Sequence, residues 1–132
     1  MSSMASPLVC VLEGKNGCDG VRLATDYRYV NQFTVNDAFP IPEVEDVIQK
    51  IGGNHFIANF DCRQDYHQTA VREQYKWLTA FVCLGQLFEI NRTPSGMKNA
   101  GQTFVRAVQL ILKPLKEFAD SCIDDSTVHS NI

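Results

Sequence analysis

The chain has 132 residues, 45% of them hydrophobic and 20% charged, with a formal net charge of −3. That balance suits one ordinary folded domain with a core, and no run of about 18 apolar residues offers a membrane span. Five cysteines, at 10, 18, 62, 83 and 122, are odd in number and form no Cys-x-x-Cys pair, which argues against a disulfide framework and a zinc site and for a reducing, intracellular compartment.

The N-terminus has no basic segment followed by an apolar one, so no secretory leader is expected. Pro7–Leu12 reads as a strand and Val21–Thr25 as its return, around a glycine-containing tip with the hairpin signal Asn16-Gly17. Lys15 on the tip and Arg22 on the return are two cations that could reach a triphosphate or simply be solvated. Asp26–Phe39 shows no clear period and is expected to be irregular. Pro40-Ile41-Pro42 then punctuates the chain. A short helix should begin at Pro42, with Glu43, Glu45 and Asp46 at its positive end, a buried stripe of Val44, Val47, Ile48 and Ile51, and a Gly52-Gly53 stop.

His55–Phe60 alternates as a strand, with Phe56, Ala58 and Phe60 on one face and Ile57, Asn59 and Asp61 on the other. Tyr66 and His67 follow in a polar segment; Tyr66 is either a core aromatic or a base- or sugar-stacking ring. Trp77–Cys83 and Leu87–Asn91 read as a hairpin turning at Leu84-Gly85-Gln86. After the sharp loop Thr93-Pro94-Ser95-Gly96, a long helix is expected along Met97, Ala100, Phe104, Ala107, Val108, Ile111, Leu112 and Leu115, kinked or ended near Lys113 by Pro114. Two strand-like stretches, Asp120–Ile123 and Ser126–His129, enclose Asp124-Asp125. The expected class is α+β, with a largely antiparallel sheet and helices on one face.

Charge is unevenly spread. From Arg63 to Lys116 there are eight basic residues and three acids, a balance of +5, so the ends are acidic. A basic middle with acids set apart suits a phosphate-bearing partner together with a cation site, although a solvated charged face has the same composition. Asp124 and Asp125 are adjacent acids with no basic neighbour in sequence, an arrangement a divalent cation would relieve. Asp61 ends another strand, where it serves either as a turn cap or as a third ligand. Three such aspartates meeting in space could hold two divalent ions for in-line phosphoryl transfer. This chemistry by itself does not separate a polymerase from a metal-dependent nuclease or phosphatase.

Several blocks occur in a telling order: Lys15, Val21-Arg22, Asp26-Tyr27-Arg28-Tyr29-Val30-Asn31, Phe60-Asp61, Tyr66-His67-Gln68, Leu78-Thr79-Ala80-Phe81, Thr93-Pro94-Ser95-Gly96-Met97-Lys98-Asn99-Ala100, Thr103-Phe104 and Ile123-Asp124-Asp125. Together, over nearly the whole chain, they resemble the reverse transcriptases of long-terminal-repeat retrotransposons of the Ty3/gypsy group. The resemblance implies a single fingers–palm piece over residues 1–132, a palm sheet plus a fingers β-hairpin, with the thumb, RNase H and integrase regions outside it. It implies RNA-directed DNA polymerase activity with two Mg²⁺ (or Mn²⁺) ions. Asp61, Asp124 and Asp125 would be the catalytic carboxylates and metal ligands, with the backbone carbonyl of Cys62 added. Lys15, Arg22, Tyr66 and Ser95 would face the dNTP, and Pro94, Gly96 and Cys122 the template and primer.

Implied partners are an RNA or DNA template with its primer, dNTPs and other domains of a Pol polyprotein, with no membrane; the implied place is the cytoplasm, in a virus-like particle, or the nucleus. The sequence departs from the group's usual pattern at Cys122 (Tyr), Asp65 (Gly), Ser95 (Phe or Gln) and Gly101 (Pro). A catalytically inactive retrotransposon remnant, acting at most as a nucleic-acid-binding module, is the alternative.

Overall fold

The computed structural model describes residues 2–13, 20–123 and 125–131. Its elements run β1 (Leu8–Glu13), β2 (Gly20–Thr25), α1 (Arg28–Phe33), α2 (Val44–Ile51), β3 (Phe56–Asp61), two 3₁₀ turns (Asp65–Gln68 and Glu73–Thr79), β4 (Phe81–Cys83), β5 (Gln86–Phe88), α3 (Ala100–Leu112), a third 3₁₀ turn (Lys113–Leu115), β6 (Ala119–Cys122) and β7 (Asp125–Ser130). The strands form three antiparallel sheets, β1-β2, β3-β7-β6 and β4-β5. The α+β class expected from sequence is the one observed. The chain divides into two units, residues 1–36 with 70–100, and residues 37–69 with 101–132.

The first unit is built on Tyr27 and Thr79. Tyr27 is 2% exposed and its hydroxyl donates to the Thr79 carbonyl at 3.0 Å; burial pushes its phenol above the ordinary range. The buried Thr79 hydroxyl donates to the Lys76 carbonyl at 2.7 Å and accepts from the Ile90 amide at 2.8 Å, which ties the 3₁₀ turn to the strand pair. Ser6 donates its amide to the Ala80 carbonyl, and Phe81 stacks on Phe88 across the β4-β5 ladder. The β1-β2 ladder is in register from Leu8–Thr25 to Glu13–Gly20; its tip, with Lys15 and the Asn16-Gly17 signal, lies outside the described residues.

Two expectations fail in this unit. Residues 26–39 are not irregular throughout, because α1 occupies Arg28–Phe33. The signal was Asp26, whose carboxylate accepts the Arg28 amide at 3.0 Å and takes up a donor at the helix start. Arg28's side chain closes on the same carboxylate at 2.6 Å, and these bonds hold Asp26 down at about 2. Trp77–Cys83 is not one strand either: Glu73–Thr79 is a 3₁₀ turn and only Phe81–Cys83 pairs. The Thr79 hydroxyl bonds compete with a ladder there.

In the second unit α2 lies along β6. The Cys122 thiol meets the Pro42 carbonyl at 3.5 Å before the helix, and Lys50 in its last turn pairs with Asp120 at 2.7 Å. The helix begins at Val44, so Pro42 precedes it, and Gly53 (φ +95°) follows the Gly52 cap as expected. The stripe is present but not buried: Val44 and Ile48 are 52% and 56% exposed. With Ile57, Asn59 and Cys122 it lines a cavity of about 450 Å³, because a three-stranded sheet presents too little surface to close over it. The expected stripe of α3 holds through Ala100, Phe104, Ala107 and Val108 and opens to solvent at Ile111 and Leu115. Phe104 and Val105 are buried while Ile111 is 72% exposed, and the helix starts at Ala100 and gives way to a 3₁₀ turn at Lys113. Burying side chains of the Phe104 kind contributes about 1.5–3 kcal/mol each.

Arg106 of α3 fastens the start of this unit. Its guanidinium meets Asp37 at 2.6 Å and lies 4.5 Å from the centroid of the Phe39 ring. The Arg106 bond, then the Phe39 amide, holds the Asp37 carboxyl below its ordinary value. A depressed acid stabilises the fold above its unfolded pKa of about 3.9, and that contribution is lost as pH falls through the folded value. Both side chains are partly exposed, so solvent screens the pair and its contribution is small. Arg106→Gln should therefore slightly lower urea-unfolding stability at pH 7, and the gap to wild type should narrow below about pH 4.

Candidate active site

The centre of the second unit is the ladder between β3 and β7. Its register pairs Ile57 with His129, Asn59 with Thr127 and Asp61 with Asp125. Directly opposed residues share a face, so both aspartates lie on one face at one end of the sheet, their β-carbons about 4.5–5.5 Å apart by ladder geometry. One step along, the Thr127 hydroxyl donates to Asn59 at 2.8 Å and fixes the register from the side chains. Like charges in direct opposition destabilise a ladder. Among the described residues no lysine or arginine stands within ion-pair distance of either acid.

The turn that delivers Asp125 is tight. Cys122 pairs with Asp125, and Ile123 stands in the turn after Cys122. Ile123 has φ +50°, a conformation that two-residue hairpins demand and that a β-branched side chain adopts only under strain. Strained backbone of this kind concentrates at functional sites. Asp124 itself lies outside the described residues.

The remaining sequence-derived candidates fall in two groups. In the second unit, Cys62 follows Asp61 directly, and Tyr66 sits in the 3₁₀ turn beyond it, edge-on to Phe104 with centroids 6.0 Å apart. The half-buried Tyr66 thus has the packing of a core aromatic. Cys122 is held against the approach to α2 by its bond to Pro42. In the first unit, Arg22 lies on β2 opposite Val11. The loop Pro94-Ser95-Gly96 is pinned by α1: the Asn31 amide donates to the Gly96 carbonyl at 2.8 Å and its oxygen accepts the Lys98 amide at 2.8 Å. Pro94 is buried, Ser95 is exposed, and Gly96 takes φ +90°, which favours glycine. Lys15 is outside the described residues.

Two features needed the coordinates. Asp65, four residues beyond Asp61, has Oδ1 buried without a hydrogen-bond partner, an arrangement that costs desolvation energy. His129 is 6% exposed with Nε2 3.1 Å from Asp120, which also takes Lys50. The sequence cue was a charged residue and a histidine placed within the strand-like flanks of Asp124-Asp125. This chain of three ties α2, β6 and β7 together, with His129 four residues along β7 from Asp125.

Among the described residues no three His, Cys, Asp or Glu side chains gather as a metal site. Asp61 and Asp125 stand opposite each other in the ladder, with Asp124 next to Asp125 in sequence. Carboxylate and backbone oxygens are the donor set that Mg²⁺ and Mn²⁺ prefer, so the residues present fit such an ion.

The sequence model of the family described as reverse transcriptase (RNA-dependent DNA polymerase) matches residues 14–132. Among curated proteins, the enzymatic polyprotein of Cauliflower mosaic virus (strain NY8153) is 30% identical over 97% of this chain and 19% of its own length. The retrovirus-related Pol polyprotein from transposon 297 of Drosophila melanogaster is 33% identical over 76% of this chain and 9% of its own length. The chain therefore spans a fifth or less of these relatives. Among solved structures, the foamy viral protease-reverse transcriptase in complex with double-stranded DNA superposes with a TM-score of 0.85 at 20% identity, over 100% of this chain and 23% of the other. That likeness is one of fold.

The strain at Ile123 is measurable. Ile123→Asn places a residue that tolerates left-handed backbone in the hairpin. It should raise stability by roughly 0.5–1 kcal/mol in urea unfolding. A loss instead would show that the Ile123 side chain, which borders the α2 cavity, outweighs the strain.

Proposed function

Because the chain belongs to the reverse transcriptase family, we propose that it is the polymerase core of a retroelement Pol protein, joining deoxynucleotides to a primer 3′-hydroxyl on an RNA or DNA template. The observation that carries this reading is the register opposing Asp61 and Asp125 at one end of the sheet, on strands joined to a hairpin that contains Asp124. Asp61, Asp125 and Asp124, with the Cys62 carbonyl, would hold two Mg²⁺ or Mn²⁺ ions. Bound there, such ions supply charge neutralisation at the phosphates and a more acidic 3′-hydroxyl. The carboxylates' own part is to fix the position of that charge on a rigid pair of strands.

The other roles follow the motif positions. Lys15 and Arg22 would neutralise the triphosphate of the incoming dNTP, and Tyr66 would offer a ring against its sugar. Ser95 would contact the nucleotide from the loop that Asn31 holds in place. Pro94, Gly96 and Cys122 would border template and primer. Within the family we assign the chain to the Ty3/gypsy group; the Pol polyprotein of transposon 297 supports a retrotransposon origin. Further domains of a Pol polyprotein are its expected partners, and the cytoplasm, within a virus-like particle, or the nucleus its expected place. Among the described residues no helix is long and apolar enough to cross a membrane.

Primer extension on an RNA template tests the proposal. Incorporation should require Mg²⁺ or Mn²⁺ and fall on the order of a thousandfold in Asp61→Asn, Asp124→Asn and Asp125→Asn. In parallel, millimolar Mg²⁺ should raise the thermal midpoint of the wild type and not of Asp61→Asn. Metal-dependent stabilisation without incorporation would favour the inactive binding module. Incorporation that survives all three substitutions would sink the two-metal reading.

A further inference from the structure

The first unit carries an aromatic groove that the carboxylate site does not use. It is a cavity of about 400 Å³ lined by Met4, Tyr29, Phe33, Thr34, Trp77 and Leu78, among others. Tyr29 and Phe33 are one turn apart on α1, edge to face with centroids 5.1 Å apart, yet 61% and 71% exposed. Trp77, on the 3₁₀ turn, is 41% exposed. On the same helix Val30 is 4% exposed, so α1 already has its buried anchor and these rings are surplus to it. Lys98 sets its ammonium on the rim, 3.1 Å from the Thr34 carbonyl.

We propose that this groove binds a single-stranded nucleic acid, stacking bases on Tyr29, Phe33 and Trp77 with Lys98 toward the phosphates. Three considerations choose this occupant. Planar rings beside a cation are the means by which proteins hold single strands without sequence preference. The bases of a duplex are stacked on one another and do not offer their faces to side chains. Charge agrees: the first unit holds seven Lys and Arg against five Asp and Glu, a balance of +2, whereas the second holds five against ten, a balance of −5. A polyanion therefore has its complement on this unit. The inference concerns a site apart from the carboxylates and does not rest on catalysis.

Trp77 is the only tryptophan, so its emission reports on this groove alone. The purified chain is titrated with a twelve-residue oligothymidylate, and with oligouridylate, in EDTA without dNTPs. Saturable quenching is expected, weakening as salt rises. Tyr29→Ala and Phe33→Ala should each weaken it about tenfold, and Phe33→Leu, which keeps apolar bulk but no ring, should do so as well. Lys98→Ala should lower the salt slope by about 0.7, and Leu110→Ala, an exposed change in the other unit, should leave binding unaltered. Circular-dichroism melts confirm that each variant is folded.

Absence of quenching, equal quenching by a duplex of the same length, or indifference to the ring substitutions would overturn the proposal. So would a concentration-dependent blue shift of Trp77 without oligonucleotide, which would mark a second copy as the occupant. Failure of primer extension leaves these readouts untouched.

Discussion

The antiparallel register of β3 against β7 is the constraint on which the second unit depends. A slip of one residue would send Asp61 to the opposite face from Asp125 and turn Asn59 away from Thr127. Register in a sheet with a poorly buried face is weakly specified by hydrophobicity, and every residue of β3 is exposed. Polar and covalent devices take over that task here. Thr127 bonds Asn59 across the ladder, the turn joins Cys122 to Asp125, and Asp120 gathers both Lys50 and His129. Each is local, and together they leave one alignment of the three strands.

Holding that alignment costs free energy. Two carboxylates face each other, Ile123 is forced into left-handed backbone, and Asp65 buries an oxygen without a donor. All three lie within four residues of Asp61 or Asp125 in the sequence. A fold selected for stability alone has simple remedies: an amide for one acid, glycine or asparagine in the turn. Strained positions concentrate at functional sites, and the opposed carboxylates and Ile123 share one end of the sheet. A divalent ion would reverse the sign of the first of these costs, because opposed carboxylates would become a shared cage.

What could be read in the sequence was whatever depended on short-range pattern. Alternation in Phe56–Asp61 placed Asp61 on the face it occupies, Gly52-Gly53 stopped α2, and Pro114 stopped α3. The misses have a common cause in hydrogen bonds made by side chains. Asp26 starts α1 within a stretch without period. Thr79 draws Glu73–Thr79 into a 3₁₀ turn despite its aromatic, strand-like composition. Burial was the other blind spot. The Val44–Ile51 stripe has the period of a core face, but period reports which residues share a side, not whether that side is covered. For the site, Asp61 and Asp125 were legible as a pair; that Tyr66 leans on Phe104 needed coordinates.

The formal charge of −3 conceals a division of labour. Taken over the whole chain it argues against a nucleic-acid partner, yet the acids are concentrated in the unit that holds the carboxylate pair and the cations prevail in the other. Screening in physiological salt acts over about 8 Å, so a ligand responds to the charge of the surface beside it rather than to the net charge of the molecule. The acidic balance of the second unit favours a cation over a phosphate as its first ligand. The basic, aromatic-rimmed unit has the opposite balance. On the proposed reading, metal would therefore precede phosphate at the carboxylates, while a strand would engage the other unit independently.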